Sequence, residues 1–372
     1  MAKVHIISKQ DITNHFALGV PHHVPPLADG SVRACPRQLS VTLNSCTYAR
    51  LGTLLQWWEA YPVPPTLPAP YNDTGKWGIV PSWGYGEVLQ SRNPDIPKGT
   101  LLYGFWPTSS LPVDLELQPT HADGHFAETS PHRQALLPMY NQYDRVTDTR
   151  SPSEELQVSN ANILAVWAAG YFLAKYSFPP CASRRRAIHP LGEGRDWTER
   201  DADLSSTLVV NLAASSKTAR GFSWALSHRD CSTNSPLAVL EVTSCSAALQ
   251  PTTTTNKRPA YKTMTVNYDE LSSEMTINWI TKLRSKRIMV ADFGAPCGVM
   301  QRFHDTIHSS PSAAPSTLDY IGIGSTAGDS LKTADTRTRM LRLETSALMM
   351  PCLSRSWSPC SRIEEAASTS EG

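Results

Sequence analysis

The chain has 372 residues, a net charge of +1 and 18% charged residues. That length suffices for two ordinary domains, and the balanced charge argues against a polyanionic partner or a membrane surface. Eight scattered cysteines form no Cys-x-x-Cys pair and no Cys/His cluster with zinc spacing, so they read as reduced thiols of a cytoplasmic protein.

The first residues lack the long apolar run of a secretory leader. The longest apolar run, residues 161–174, falls short of the ~20 residues that span a bilayer and reads as a buried helix. Proline is frequent (29 residues) and crowds the first half, which predicts turns and short strands. Residues 38–43 alternate like a half-buried strand. Residues 77–89 combine strand formers with glycines, and residues 98–104 return as another strand. Residues 1–158 thus read as a twisted β-rich domain. Residues 159–206 hold the buried helix, about 163–176, and a polar insertion. In that insertion Arg184, Arg185 and Arg186 read as a solvated basic run rather than a nucleic-acid contact.

Residues 207–328 change character. Apolar strands are expected at 207–212, 237–243, 264–266, 287–293 and 318–324, with helices following 216 and covering 298–308. Strands alternating with helices predict an α/β fold with a parallel, doubly wound sheet. Residues 251–259 stand where a crossover helix belongs, and the tail 329–372 has no clean period.

The turn after the first of these strands is the most informative. Ala213, Ala214, Ser215 and Ser216 are small enough for a pyrophosphate to approach the backbone. The Ser216 hydroxyl is placed to cap the helix, and Lys217 and Thr218 offer a cation and a hydroxyl. A P-loop would need glycine at Asn211 and Ser216. The Gly-x-Gly-x-x-Gly fingerprint is also absent, so a strand–helix turn that binds nothing stays open on local pattern.

Several motifs, in order, carry a resemblance: Asn44-Ser-Cys-Thr-Tyr48 with Gly52, Trp77-Gly78, Pro81-x-Trp83-Gly84-x-Gly86-Glu87-Val88 and Tyr103-Gly104. Ser130-Pro-His-Arg133, Tyr140-Asn-Gln-Tyr143 and Ala214-Ser-Ser-Lys-Thr-Ala219 continue it. The chain resembles the DUF2855 proteins, distant members of the medium-chain dehydrogenase/reductase superfamily, over about residues 36–325. The resemblance implies a GroES-like β-domain joined to a Rossmann-type domain that binds a nicotinamide cofactor. It gives a reaction class and no substrate, with a fungal biosynthetic setting by analogy. Strand 237–243 ends in Thr243 and Ser244 with no acidic residue, which favours NADPH over NADH. Zinc-dependent relatives place Gly-His-Glu near Ser82-Trp83-Gly84 and carry a cysteine lobe that is missing here, so no metal is expected.

Hydride transfer needs a donor near the substrate carbonyl. Tyr48 and Asn44 are the first candidates, with Tyr140, Asn141 and Tyr143 as further substrate-binding residues. Cofactor binding falls to Ala214, Ser215, Ser216, Lys217, Thr218, Thr243 and Ser244. Packing and capping roles compete at Tyr48 and Asn141. His132 and Arg133 are alternatives as acid and anion clamp, Glu87 reads as fold support, and Asp292 sits at a strand end where ligands gather. The leading expectation is a zinc-independent NADPH-dependent oxidoreductase acting on a C=O or activated C=C bond. Its partner is a small-molecule substrate, with a homodimer left open. A non-catalytic Rossmann-type binding protein is the main alternative, and an acyl-transfer or lyase activity a third.

Overall fold

The computed structural model describes residues 2–21, 25–146, 153–181, 186–190, 195–229, 234–249, 259–323 and, as backbone, 338–343. The expectations for residues 251–258, Arg184 and Arg185 and most of the tail lie outside these. The chain divides into two compact units at Ala165/Val166, between the boundaries of 158 and 206 read from sequence.

Among its described residues the N-terminal unit holds ten strands: β1 (Ala2–Ser8), β2 (His15–Val20), β3 (Val32–Leu39), β4 (Trp77–Gly78), β5 (Pro81–Ser91), β6 (Leu101–Pro107), β7 (Val113–Leu115), β8 (Leu117–Pro119), β9 (His125–Glu128) and β10 (Gln142–Val146). They form a three-stranded sheet in the order β2-β1-β4 and a seven-stranded one in the order β7-β3-β5-β6-β10-β9-β8. All their pairings are antiparallel, as the short strands and turn residues predict.

One element differs from expectation. The strand expected at 38–43 ends at Leu39, and Leu43–Leu51 forms helix α1. Thr42 and Ser45 form a capping box: Thr42 accepts from a helix amide, and the Ser45 hydroxyl accepts from the Thr42 amide. That local signal outweighs a period-two pattern only a few residues long.

The apolar helix α2 (Glu154–Phe172) starts earlier than the sequence reading placed it and continues as a π-turn over Leu173–Ser177. Among the described residues no helix is long and apolar enough to cross a membrane. A one-turn helix α3 (Glu199–Ala202) then leads into the α/β unit. There β11 (Thr207–Leu212), α4 (Lys217–Ser227), β12 (Ala238–Thr243), β13 (Lys262–Asn267), α5 (Glu274–Leu283), β14 (Arg287–Asp292), α6 (Val299–His308), β15 (Thr317–Ile323) and β16 (Thr338–Leu343) follow. The sheet order is β13-β12-β11-β14-β15-β16, and every pairing is parallel. This is the doubly wound Rossmann order, with its switch point between β11 and β14. Every residue of β11 and β14 is buried, as expected of parallel strands covered on both faces. Val210, Leu240 and Val290 pack with Ile280 of α5 and Phe303 of α6 in one core.

Helices α2 and α4 meet at two glycines. A Cβ on Gly170 would lie 1.8 Å from the Thr218 carbonyl oxygen, and one on Gly221 would lie 2.1 Å from that of Trp167. Only glycine allows backbones this close, and the contact fixes the first turns of α4, which follow the β11–α4 turn.

Candidate functional site

Within the α/β unit, the β11–α4 turn lies at the carboxyl edge of the sheet, beside the switch point. Ala213 takes a left-handed conformation, φ 57°, which L-residues enter at a cost. The bend carries the chain back over the sheet. The Ala214 amide donates to the Val242 carbonyl (2.9 Å) and the Ser216 amide to the Ala213 carbonyl (2.8 Å). Ser216 caps α4: its hydroxyl accepts from the Ala219 amide at 3.3 Å. The Thr243 hydroxyl at the end of β12 donates to the Ser215 hydroxyl (2.9 Å), and Ser244 is exposed. Ala214, Ser215, Ser216, Lys217, Thr218 and Thr243 are therefore gathered in and around one turn.

The first turn of α4 has no acidic residue and begins with Lys217. Partial burial lowers the Lys217 pKa. Sequence reasoning missed one neighbour: the Tyr268 hydroxyl hydrogen-bonds to the Ala213 backbone. Its position just past β13 is the signal that could have found it. Asp292 accepts from the Gly294 (3.0 Å) and Ala295 (2.8 Å) amides, a turn role.

In the N-terminal unit, Tyr48 is buried and its hydroxyl accepts from Asn44 Nδ2 (2.7 Å) and Trp83 Nε1 (2.9 Å). Tyr140 also hydrogen-bonds to it, and burial holds the phenol well above its usual pKa despite these bonds. The rings of Trp57, Phe105 and Tyr140 pack edge-on or tilted around this centre. Trp83 is thus a direct partner of the Tyr48 hydroxyl.

Asn141 and Tyr143 belong to a different network, centred on the buried Arg133. Arg133 Nε donates to Asn141 Oδ1 (3.0 Å), one terminal nitrogen to the Tyr143 hydroxyl (3.0 Å) and the other to the Tyr140 carbonyl (2.7 Å). Glu128 is its ion partner, with Oε2 at 3.4 Å from Nε. His132 is exposed, and Glu87 pairs with Arg37 at 3.2 Å. Among the described residues no group of three or more His, Cys, Asp or Glu is placed to hold a metal.

The fold has relatives among solved structures. A mutant enoyl thioester reductase from Candida tropicalis is 12% identical, with a TM-score of 0.52 over 97% of this chain and 87% of that one. The mitochondrial 2-enoyl thioester reductase Etr1p/Etr2p heterodimer from Candida tropicalis is 10% identical, with a TM-score of 0.53 over 98% and 86%. A complex of Etr1p with NADP and crotonyl-CoA is 11% identical, with a TM-score of 0.52 over 94% and 83%. At these identities the likeness shows the fold alone: a GroES-like antiparallel sheet and a Rossmann-like parallel one. No curated protein matches the sequence closely enough to count as a relative. The family described as a protein of unknown function, DUF2855, matches residues 39–356, and the chain belongs to it.

Proposed function

We propose that this protein is a zinc-independent oxidoreductase that uses NADPH to reduce a C=O or activated C=C bond. The observation that carries the reading is the β11–α4 turn. At the switch point of a Rossmann-ordered sheet it combines small side chains, a Ser216 cap, Lys217 and no acidic residue. NADPH, when bound, supplies the hydride. Ser215, Ser216, Lys217 and Thr218 would hold its pyrophosphate, and Thr243 and Ser244 leave space and hydroxyls for a 2′-phosphate. The solved complex of Etr1p with NADP is consistent with this choice.

Tyr48 is the donor to the substrate oxygen in this reading. Asn44 and Trp83 donate N–H bonds into its oxygen, so the phenolic proton is what it has left to give. That proton would stabilise charge that develops only in the transition state. Tyr140 would pass or share it.

The test is a titration of tryptophan fluorescence with NADPH and NADH, followed by a screen for substrate-dependent NADPH oxidation. NADPH should bind more tightly, and elemental analysis should find well under one zinc per chain. Equal or tighter NADH binding would remove the cofactor preference.

One observation favours a second reading, a binding protein without turnover. Several loop amides are already engaged, and Tyr268 occupies the Ala213 backbone. Absence of any substrate-dependent NADPH oxidation is the outcome that favours it.

A further inference from the structure

The hairpin of β1 and β2 carries a histidine pair that belongs to neither the Tyr48 cluster nor the Arg133 network. His5 Nε2 lies 3.1 Å from His15 Nδ1. The two rings meet nearly edge-on, with centroids 5.1 Å apart and planes at 76°. His5 is half-buried and His15 exposed, so the pair stands at the surface. The facing nitrogens share one hydrogen, carried by either ring according to its tautomer.

The strands fix this meeting. Six cross-strand pairs run from Ala2↔Val20 to Ile7↔His15, with His5 opposite Ala17. His5 and His15 are thus diagonal neighbours on one face of the hairpin, within reach of each other's long side chains. The backbone beneath them is anchored. The His5 amide donates to the Thr108 carbonyl (3.1 Å), and the Ser8 amide donates to the Asn14 carbonyl (2.9 Å) where the hairpin turns.

Imidazole nitrogens are ligands for late first-row divalent ions. An ion about 2.0–2.1 Å from each nitrogen would see the pair, 3.1 Å apart, at an angle of about 100°. That angle lies between the cis angle of a square plane and the tetrahedral angle. Copper(II) and zinc(II) geometries are both within reach, and the Irving–Williams order puts copper(II) first. The exposed His15 ring can pivot to aim its lone pair at the ion without backbone movement. The ion takes the place of the shared hydrogen, which passes to the far nitrogen of its own ring, so no proton is lost from the pair.

We propose that His5 Nε2 and His15 Nδ1 chelate one divalent transition ion, copper(II) in preference to zinc(II), with the remaining coordination positions open to water. Resident zinc sites use three or four protein ligands. Two make occupancy depend on free metal, so zinc is not expected to stay bound through purification. The site is independent of the nucleotide reading.

The probes are copper(II) and zinc(II), titrated into the full chain in a non-coordinating buffer. Copper(II) should fill one tightest site per chain, and its electron paramagnetic resonance spectrum should show two imidazole nitrogens. Zinc(II) should bind the same site more weakly. Loss of an outer-sphere partner alone costs about 10–100-fold in metal affinity, so loss of one of two ligands should cost at least about tenfold. His15→Gln, at an exposed position, and His5→Gln should each show that loss, and each should leave one of the two nitrogens in the spectrum. His121→Gln, at another exposed histidine, should leave the affinity unchanged. Parental copper(II) affinity in His15→Gln, a spectrum without two imidazole nitrogens in the parent, or zinc(II) binding tighter than copper(II) would overturn the proposal.

Discussion

The indole N–H of Trp83 donates to the Tyr48 hydroxyl at 2.9 Å, and Asn44 Nδ2 reaches the same oxygen at 2.7 Å. Two donors into one oxygen orient its proton outward from both. Tyr48→Phe should therefore lower turnover by about 10²–10³, the usual effect of removing one donor to developing charge. NADPH affinity should be unchanged. Asn44→Ala should act in the same direction and more weakly, because Trp83 still holds the ring. Steady-state turnover beside a cofactor titration decides this, and parental turnover in Tyr48→Phe would reduce Tyr48 to packing.

Ala213 is one of three non-glycine residues with positive φ among the described residues. Left-handed backbone costs an alanine about 1–2 kcal/mol, more than the conformational entropy a glycine loses on folding. Ala213→Gly should raise stability by about 1 kcal/mol, seen as a higher midpoint in chemical unfolding. NADPH affinity should hold or rise, since glycine lets a pyrophosphate approach more closely. A lower midpoint would mean that the methyl group contributes more by packing than it costs by strain.

The α/β half was largely legible in the sequence, and the physical reason is burial on both faces. Strand β11 has the expected bounds, 207–212, because a covered parallel strand is a mostly apolar run between polar turns, broken here only by Asn211 after Thr207. Helix α5 has no counterpart among the sequence expectations, although Ser273 caps it through the Thr276 amide. The edge strand β16, Thr-Arg-Met-Leu-Arg-Leu, has no strict alternation and stands in a tail without other regular signals. In the β-rich half, Tyr140, Asn141 and Tyr143 were grouped because they are neighbours in sequence. The short helix over Pro138–Asn141 gives way to β10 at Gln142. Tyr140 therefore turns to Tyr48 while Asn141 and Tyr143 turn to Arg133. The Arg133 network lies within residues 128–143, but it is closed by two short helical turns and the β9–β10 pairing, which leave no regular period to read.

On an exposed helix, replacing glycine with alanine stabilises by nearly 1 kcal/mol. At Gly170 the sign should reverse. The new methyl group would sit 1.8 Å from the Thr218 carbonyl oxygen, and the backbone would have to move. Overpacking of this kind typically costs about 1–3 kcal/mol. Gly170→Ala should lower the unfolding midpoint and weaken NADPH binding, because the displaced residues are the first turn of α4. Gly221→Ala should do the same through Trp167. Unchanged stability in both variants would show that α2 and α4 are less closely apposed.

Glu241 gives the clearest pH dependence. It stands in the middle of β12, where it accepts from the Ser223 hydroxyl (2.7 Å) and lies within 3.3 Å of Asn211 Nδ2. Burial pushes its pKa up to about 7 from 4.5, against the opposing effects of Ser223, Asn211 and Arg220. The folded carboxyl thus keeps its proton in a range where the unfolded one has lost it. Between about pH 4.5 and 7 the native state binds more protons, so this group makes stability fall as pH rises, and the loss is complete above pH 7. The full effect is about 3 kcal/mol for a shift of this size. Glu241→Gln removes the titration and keeps an acceptor for Ser223. The variant should match the parent near pH 4 and exceed it at pH 8 by an amount approaching that figure. Unfolding free energies of the two proteins, compared across this range, check it, because other titrating groups are common to both. A difference that stays constant with pH would show that Glu241 is ionised alike in the folded and unfolded chains.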